Sequence, residues 1–265
     1  MSHPLTYIHP SAKIGSNVHI DPFTSVHANV EIGDNTYIGS NVTIYEGARI
    51  GNNCRIFPGA VISAVPQDLK FKGEDTVAII GDNTTIRECV TINRGTSAMG
   101  RTEVGSNCLL MAYVHVAHDC IIGDHVILAN SVNLAGHVTI DEWAILEGYV
   151  GVSQFMHIGA HSFVAGQSGV RKNVPPYVKA AREPLCYAGI NAVGLTRRGF
   201  SREVIEEIQE IYRNIFQKGY NTTKALSLVE SEFAISAHRD LILQFVRSSE
   251  KGIIRGLSGN FPKAE

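Results

Sequence analysis

The sequence predicts an all-β, parallel β-helix built of hexapeptide repeats, followed by a small α-helical C-terminal domain. Three observations predict it. An aliphatic residue recurs at every sixth position, a small or β-branched residue usually follows it by four, and beyond residue 200 the apolar spacing becomes helical. Stepping by six from Ile8 to Val170, 25 of 28 positions are Ile, Leu or Val; Asp68, Glu74 and Ala98 are the exceptions. A period of six fits neither a 3.6-residue helix nor a two-residue strand. It fits short strands that each send one aliphatic inward, three per coil of 18 residues. The narrow interior then accommodates Val18, Thr24, Val30, Val42, Cys54, Val114 and Cys120 at the fourth place. Glycine follows the aliphatic at Gly15, Gly33, Gly51 and Gly105, where a corner with unusual φ is expected.

The interruptions are as informative as the repeat. Residues 63–79 and 94–103 are polar and break the pattern, reading as loops that project from the coil. Asn173-Val174-Pro175-Pro176 ends the period and reads as a linker. Ser201 is placed to cap a helix whose Val204, Ile205, Ile208, Ile211, Tyr212, Ile215 and Phe216 form one face, ended by Gly219. Two further helices are predicted around 225–233 and 241–252. The division is therefore 1–189 for the β-helix, 190–256 for the helical domain and 257–265 for a tail.

Composition narrows the function. The chain is 44% hydrophobic and 18% charged, which suits a globular enzyme rather than a disordered chain. A net charge of -2 argues against a general nucleic-acid binder. Five scattered cysteines without a CxxC pair read as reduced thiols. Neither a leader-like N-terminus nor a membrane-length apolar run is visible, so a cytoplasmic protein without membrane insertion is expected. Glycine-rich nucleotide fingerprints and a Gly-x-Ser-x-Gly elbow are absent from the sequence.

Histidine carries the chemical signal, with His115, His118, His125, His137 and His157 in one short stretch. Eighteen-residue stacking places His118, Gly136 and Gln154 in one column, beside Asp119, His137 and Phe155. A base, a bare backbone amide and a carboxamide on one edge suit acyl transfer to a hydroxyl. Three other readings stand beside it: surface histidines on a non-catalytic scaffold, zinc held by His115, His118 and His137 as in a γ-class carbonic anhydrase-like hydratase, and a subunit contact. Residues 171–202 carry a local charge of +6 from Arg171, Lys172, Lys179, Arg182, Arg197, Arg198 and Arg202 against Glu183, which suits an acidic partner or phosphates.

Several ordered motifs are more discriminating than the hexads: Pro66-Gln67-Asp68-Leu69-Lys70, Thr91-Ile92-Asn93-Arg94-Gly95-Thr96, Ala117-His118-Asp119-Cys120, Leu134-Ala135-Gly136-His137-Val138, Val174-Pro175-Pro176-Tyr177 and Arg197-Arg198-Gly199-Phe200-Ser201-Arg202. With them the chain resembles the UDP-N-acetylglucosamine O-acyltransferases that begin lipid A biosynthesis. The resemblance implies a left-handed coil and a cytoplasmic homotrimer with sites between subunits. It implies an acyl donor carried on the phosphopantetheine of acyl carrier protein, with no other cofactor and no metal. His118 would be the base, Asp119 its support and Gly136 the oxyanion donor. Asp68, Lys70, His115, His137, Gln154, Asn191, Arg197 and Arg198 would contact substrate, and Gly166 would line an acyl channel. Two positions depart from the family, which often has His where this chain has Asn93 and Ser153. The related N-acyltransferase of the same pathway carries a domain ahead of its hexads, for which the start at Ile8 leaves no room.

Overall fold

A computed structural model describes residues 3–256, and the tail expected at 257–265 lies outside the described residues. The hexads form a three-sided prism. Most strands are only two residues long, such as Ser25–Val26, Ile121–Ile122 and Ile127–Leu128, because each side must turn after one inward aliphatic. Among the described residues the first face has nine strands, the second eight and the third ten. Neighbours within the prism pair in parallel, so each face is a stack of successive coils. Ile20, Ile38, Ile56, Leu110 and Leu128 are almost fully buried along the axis. Val42, Cys54, Val114 and Cys120 fill the space beside them. Ile14 is 36% exposed because it lies in the first coil, where the stack ends.

The corner geometry differs from the sequence expectation in one respect. Positive φ falls three places after the aliphatic, at Asn17, Asn35, Asn53 and Asn107, rather than on the glycine directly after it. Asparagine tolerates that conformation by local hydrogen bonding. Gly15, Gly33, Gly51 and Gly105 are needed for another reason: an added Cβ would come within 2.6 Å of the next coil.

Both insertions leave the prism at the corner between the first and second faces. Strand Val61–Ala64 precedes the first and Val77–Ile80 follows it, so the loop is 65–76, narrower than 63–79. Strands Thr91–Asn93 and Arg101–Val104 bound the second at 94–100, narrower than 94–103. In both cases the strand ladder extends beyond the repeat position. Ile50 pairs with Ile80, and Ile92 with Val116, so coil spacing stretches from 18 residues to 30 and 24 across the loops. Their extra lengths are multiples of six, which is why the periodic pattern passes through unshifted.

Asn173–Pro176 is not a linker. Val174 bridges to Ile158, and Val178–Ala181 pairs in parallel with Phe163–Val164, so the coil continues with that side shortened by two residues. An antiparallel strand, Cys186–Ile190, then closes the third face. Four helices follow: α1 (Ala192–Arg197), α2 (Arg202–Phe216), α3 (Thr222–Glu232) and α4 (Ala237–Ser248). Ser201 caps α2, as its residue type suggests, while α1 is too short for periodicity to disclose. The helices are tied to the prism by Tyr212, whose hydroxyl donates to the Pro176 carbonyl at 2.6 Å. All five cysteines are free, and burial pushes the Cys108 thiol up to about 11 and Cys120 to about 12.

Candidate active site

The site is built on the corner that carries the loops. Strand His115–Val116 on the first face and Ile121–Ile122 on the second leave residues 117–120 to make the turn. Asp119 takes positive φ there, as His137 and Phe155 do one and two coils on. The repeat thus aligns three unlike side chains by one backbone rule. His137 and Phe155 stack with ring centres 4.6 Å apart, and His137 meets His118 edge-on at 5.2 Å.

Asp119 is the fixed point. Its side chain is fully buried, and its carboxylate accepts from the Thr96 amide at 2.9 Å and the Thr96 hydroxyl at 2.6 Å. His118 Nδ1 lies 2.8 Å from Oδ2, and His137 Nε2 is 3.7 Å from the same oxygen. Burial raises the carboxyl pKa, but the Thr96 and His118 hydrogen bonds and the His137 charge outweigh it, so the group stays below the ordinary carboxylate range. Since an anionic carboxylate only accepts, His118 carries its proton on Nδ1 and presents Nε2 as the base.

Gly136 lies directly against that nitrogen. A Cβ built there would sit 2.6 Å from His118 Cε1 and 2.7 Å from Nε2. Its φ is not in the left-handed region, so the absence of a side chain is a matter of room for the imidazole. Its carbonyl accepts from Phe155 at 3.2 Å, whereas its N–H has no partner among the described residues. An unpaired amide beside a base is what an oxyanion donor requires.

Other predicted residues lie further apart. His115 faces outward on the first face, 2.7 Å from the Thr91 hydroxyl, and burial lowers its pKa. Gln154 is exposed at the corner two coils beyond His118. Asp68 and Lys70 sit in the 65–76 loop, where the Asp68 carboxylate accepts from the Lys70 amide at 2.9 Å. Asn93 and Ser153, the two departures, lie beside the corner, and Asn93 Oδ1 is buried without a partner.

Asn191, Arg197 and Arg198 belong to a different side. Asn191 caps α1, accepting from Gly194 at 3.2 Å and donating to the His161 carbonyl at 2.9 Å. Arg197 shares a cleft of about 360 Å³ with Lys179, Ile145 and Phe163 on the third face. Arg198 turns inward over Trp143 and reaches His161 Nδ1 at 3.4 Å. Gly166 lies at the opposite edge of the first face, its amide donating to Glu147 at 3.0 Å. The +6 segment therefore does not form one patch: Arg171 pairs with Glu183, Arg202 with Glu206, and Arg197 and Arg198 diverge. His118 and Arg197 therefore occupy different sides of the prism.

The cation-binding geometry also differs from expectation. His118, Asp119 and His137 place ligand atoms within 4.8 Å of one another, while His115 is not among them and lies against Thr91 instead. Both Asp119 oxygens are already engaged by Thr96 and His118. Thr96 reaches Asp119 only through loop folding, whereas Thr102, whose hydroxyl accepts from the Asp119 amide at 2.8 Å, lies in the strand one regular coil before Cys120; neither residue type marked it as a site residue.

Comparison with known proteins agrees with the motifs. A family model described as UDP N-acetylglucosamine O-acyltransferase, domain 2, matches residues 173–254, and a bacterial transferase hexapeptide model matches 11–46, 32–64 and 101–136. An acyl-[acyl-carrier-protein]--UDP-N-acetylglucosamine O-acyltransferase of Myxococcus xanthus is 45% identical over 96% of this chain and 98% of its own. The crystal structure of a UDP-N-acetylglucosamine acyltransferase from Bacteroides fragilis superposes with a TM-score of 0.95 at 55% identity, covering 96% of this chain and 100% of that one. The Arabidopsis enzyme of the same description has a TM-score of 0.83 at 32% identity, covering 96% and 100%. With fold, corner geometry and full-length similarity in agreement, the chain belongs to the UDP-N-acetylglucosamine O-acyltransferase family.

Proposed function

We propose that this protein transfers a 3-hydroxyacyl group from acyl carrier protein to the 3-hydroxyl of UDP-N-acetylglucosamine. The observation that carries the reading is the packing of His118 Nε2 against Gly136, with Nδ1 held by Asp119. The sugar oxygen attacks the thioester carbonyl as Nε2 takes its proton. The Gly136 N–H receives the oxyanion, and Asp119 balances the imidazolium. Collapse breaks the carbon–sulfur bond, and the departing thiolate takes the proton back from His118. Atoms and charge close without a metal or redox partner.

The curated relatives are named for this donor and acceptor, which supports both partners. Asp68, Lys70, His115, His137, Gln154, Asn191, Arg197 and Arg198 are proposed substrate contacts. A homotrimer is proposed because the His118 corner and the Arg197 cleft need another copy to meet. A cytoplasmic location fits these soluble partners, and among the described residues no helix is long and apolar enough to cross a membrane.

The test is transfer measured with UDP-N-acetylglucosamine and loaded acyl carrier protein. His118→Ala is expected to lower turnover at least about a hundredfold, the scale of a lost general base. Near-normal turnover in a folded variant would contradict the assignment.

A further inference from the structure

One coil beyond Phe155, the edge that carries His118 meets the far end of the helical domain. The His118, Gly136 and Gln154 column continues to Lys172, since Gly151–Val152 pairs in register with Gly169–Val170. Asn173 likewise continues the Asp119, His137 and Phe155 column, and residues 251–254 return from α4 to lie beside it. Its amide donates to the Gly252 carbonyl at 3.1 Å, and its carbonyl accepts from the Ile254 amide at 2.9 Å. The Lys172 ammonium donates to the Lys251 carbonyl at 2.7 Å. The Lys251 side chain takes no part in this pairing, and its ammonium lies 5.1 Å from the centre of the Phe155 ring. That ring stacks on His137, which meets His118, so base, second imidazole, phenyl ring and ammonium follow one another along one edge.

A sugar nucleotide brings two phosphates, whose charge must be matched by cations where water is displaced. The basic segment offers little for that at this edge. Arg171 pairs with Glu183, Lys172 is held by the Lys251 carbonyl, and Arg197 lies on the third face. Lys251 stands outside that segment, is exposed, and has no carboxylate partner among the described residues. The Phe155 ring steers its ammonium without neutralising it. Lys172, bonded to the same residue, adds a second positive charge nearby.

We propose that Lys251 binds the diphosphate of the sugar nucleotide. The proposal rests on the acyl-transfer reading above. A hexose with its 3-hydroxyl at His118 Nε2 carries the diphosphate on C1, two ring bonds from C3. The phosphates then come within reach of an ammonium two rings further along the edge. The donor's own phosphate is separated from the thioester by the whole pantetheine arm and lies beyond that reach.

The experiment measures equilibrium binding of UDP-N-acetylglucosamine to the full chain without carrier protein, then transfer with loaded acyl carrier protein. Lys251→Ala spares the loop, which is held through the Lys251 carbonyl rather than its side chain. It is expected to weaken sugar-nucleotide binding roughly tenfold, the scale of one charge-assisted hydrogen bond. KM for the sugar nucleotide should rise in step, with kcat and KM for the loaded carrier protein little changed. Lys251→Arg, which keeps the charge, is expected to keep the affinity. Unchanged affinity in a folded Lys251→Ala overturns the proposal. So does a raised KM for the loaded carrier protein with sugar-nucleotide affinity intact, which would assign Lys251 to the donor. If the unaltered protein binds the sugar nucleotide yet transfers no acyl group, the acyl-transfer reading falls, and the binding comparison alone decides the role of Lys251.

Discussion

His118, the proposed base, touches two neighbours that have little else in common. Asp119 fixes the tautomer, and Gly136 supplies space as well as an amide. Gly136→Ala is expected to leave the fold intact, because its φ suits any residue, while pushing the imidazole out of line. The added methyl should lower kcat by about tenfold or more with little change in thermal midpoint, since a shift of about 1 Å in a catalytic group can be that costly. A variant with normal kcat would show that the close packing has no catalytic consequence. Thr96→Val removes the 2.6 Å hydroxyl donor to Asp119. Because the folded pKa of Asp119 is depressed, its contribution to stability exists above the ordinary carboxylate range and disappears as pH falls through the folded value. Raising that value toward the ordinary one shrinks the contribution, so Thr96→Val should lose less stability on acidification than the unaltered protein. His161 is held down to about 4 by burial first, then by the charges of Arg198 and His238, so its contribution also weakens as pH falls below the ordinary histidine range. Denaturant unfolding of both proteins across acid pH separates the effects, because the His161 contribution is common to them.

At the scale of the element, the unit is a two-residue strand and a corner, and neither is stable without the coils on both sides. Ile92 lies in the strand between the two insertions and is fully buried. Ile92→Ala should destabilise by about 2–5 kcal/mol, the usual cost of a truncated core aliphatic, and urea unfolding measures it. A loss near that of a surface substitution would mean that the loops, rather than the aliphatic stack, hold these coils. The loops do have a structural part: Thr76 donates to the Gly95 carbonyl at 2.6 Å, and Gly95 donates to the Val77 carbonyl at 3.1 Å. The two insertions therefore brace each other beside the His118 corner. Asn191 shows how one side chain can serve an element, capping α1 while holding the last coils through the His161 carbonyl. Asn191→Ala should cost about 1 kcal/mol through the lost cap alone.

Across the whole molecule, the prism separates residues that the proposed reaction would use together. His118 stands at the corner between the first and second faces, and Arg197 lines a cleft on the third. If sites form between copies, His118→Ala and Arg197→Ala proteins, each inactive, should recover a fraction of normal turnover when unfolded, mixed and refolded together. Two mixed variants that stay inactive, in trimers shown by sedimentation, would place the complete site in one protomer. The reach of sequence follows the same division. A strict six-residue period determined the coil, its inward stack and the levels of His118, Gly136 and Gln154, because in a stacked coil counting residues is equivalent to measuring position along the axis. Helix starts such as Ser201 were likewise local facts. Only tertiary structure decided that Thr96 grips Asp119, that residues 173–176 continue the coil, and that the basic segment disperses. Those outcomes depend on where a loop returns and which way a long side chain folds, and contacts between distant residues set both.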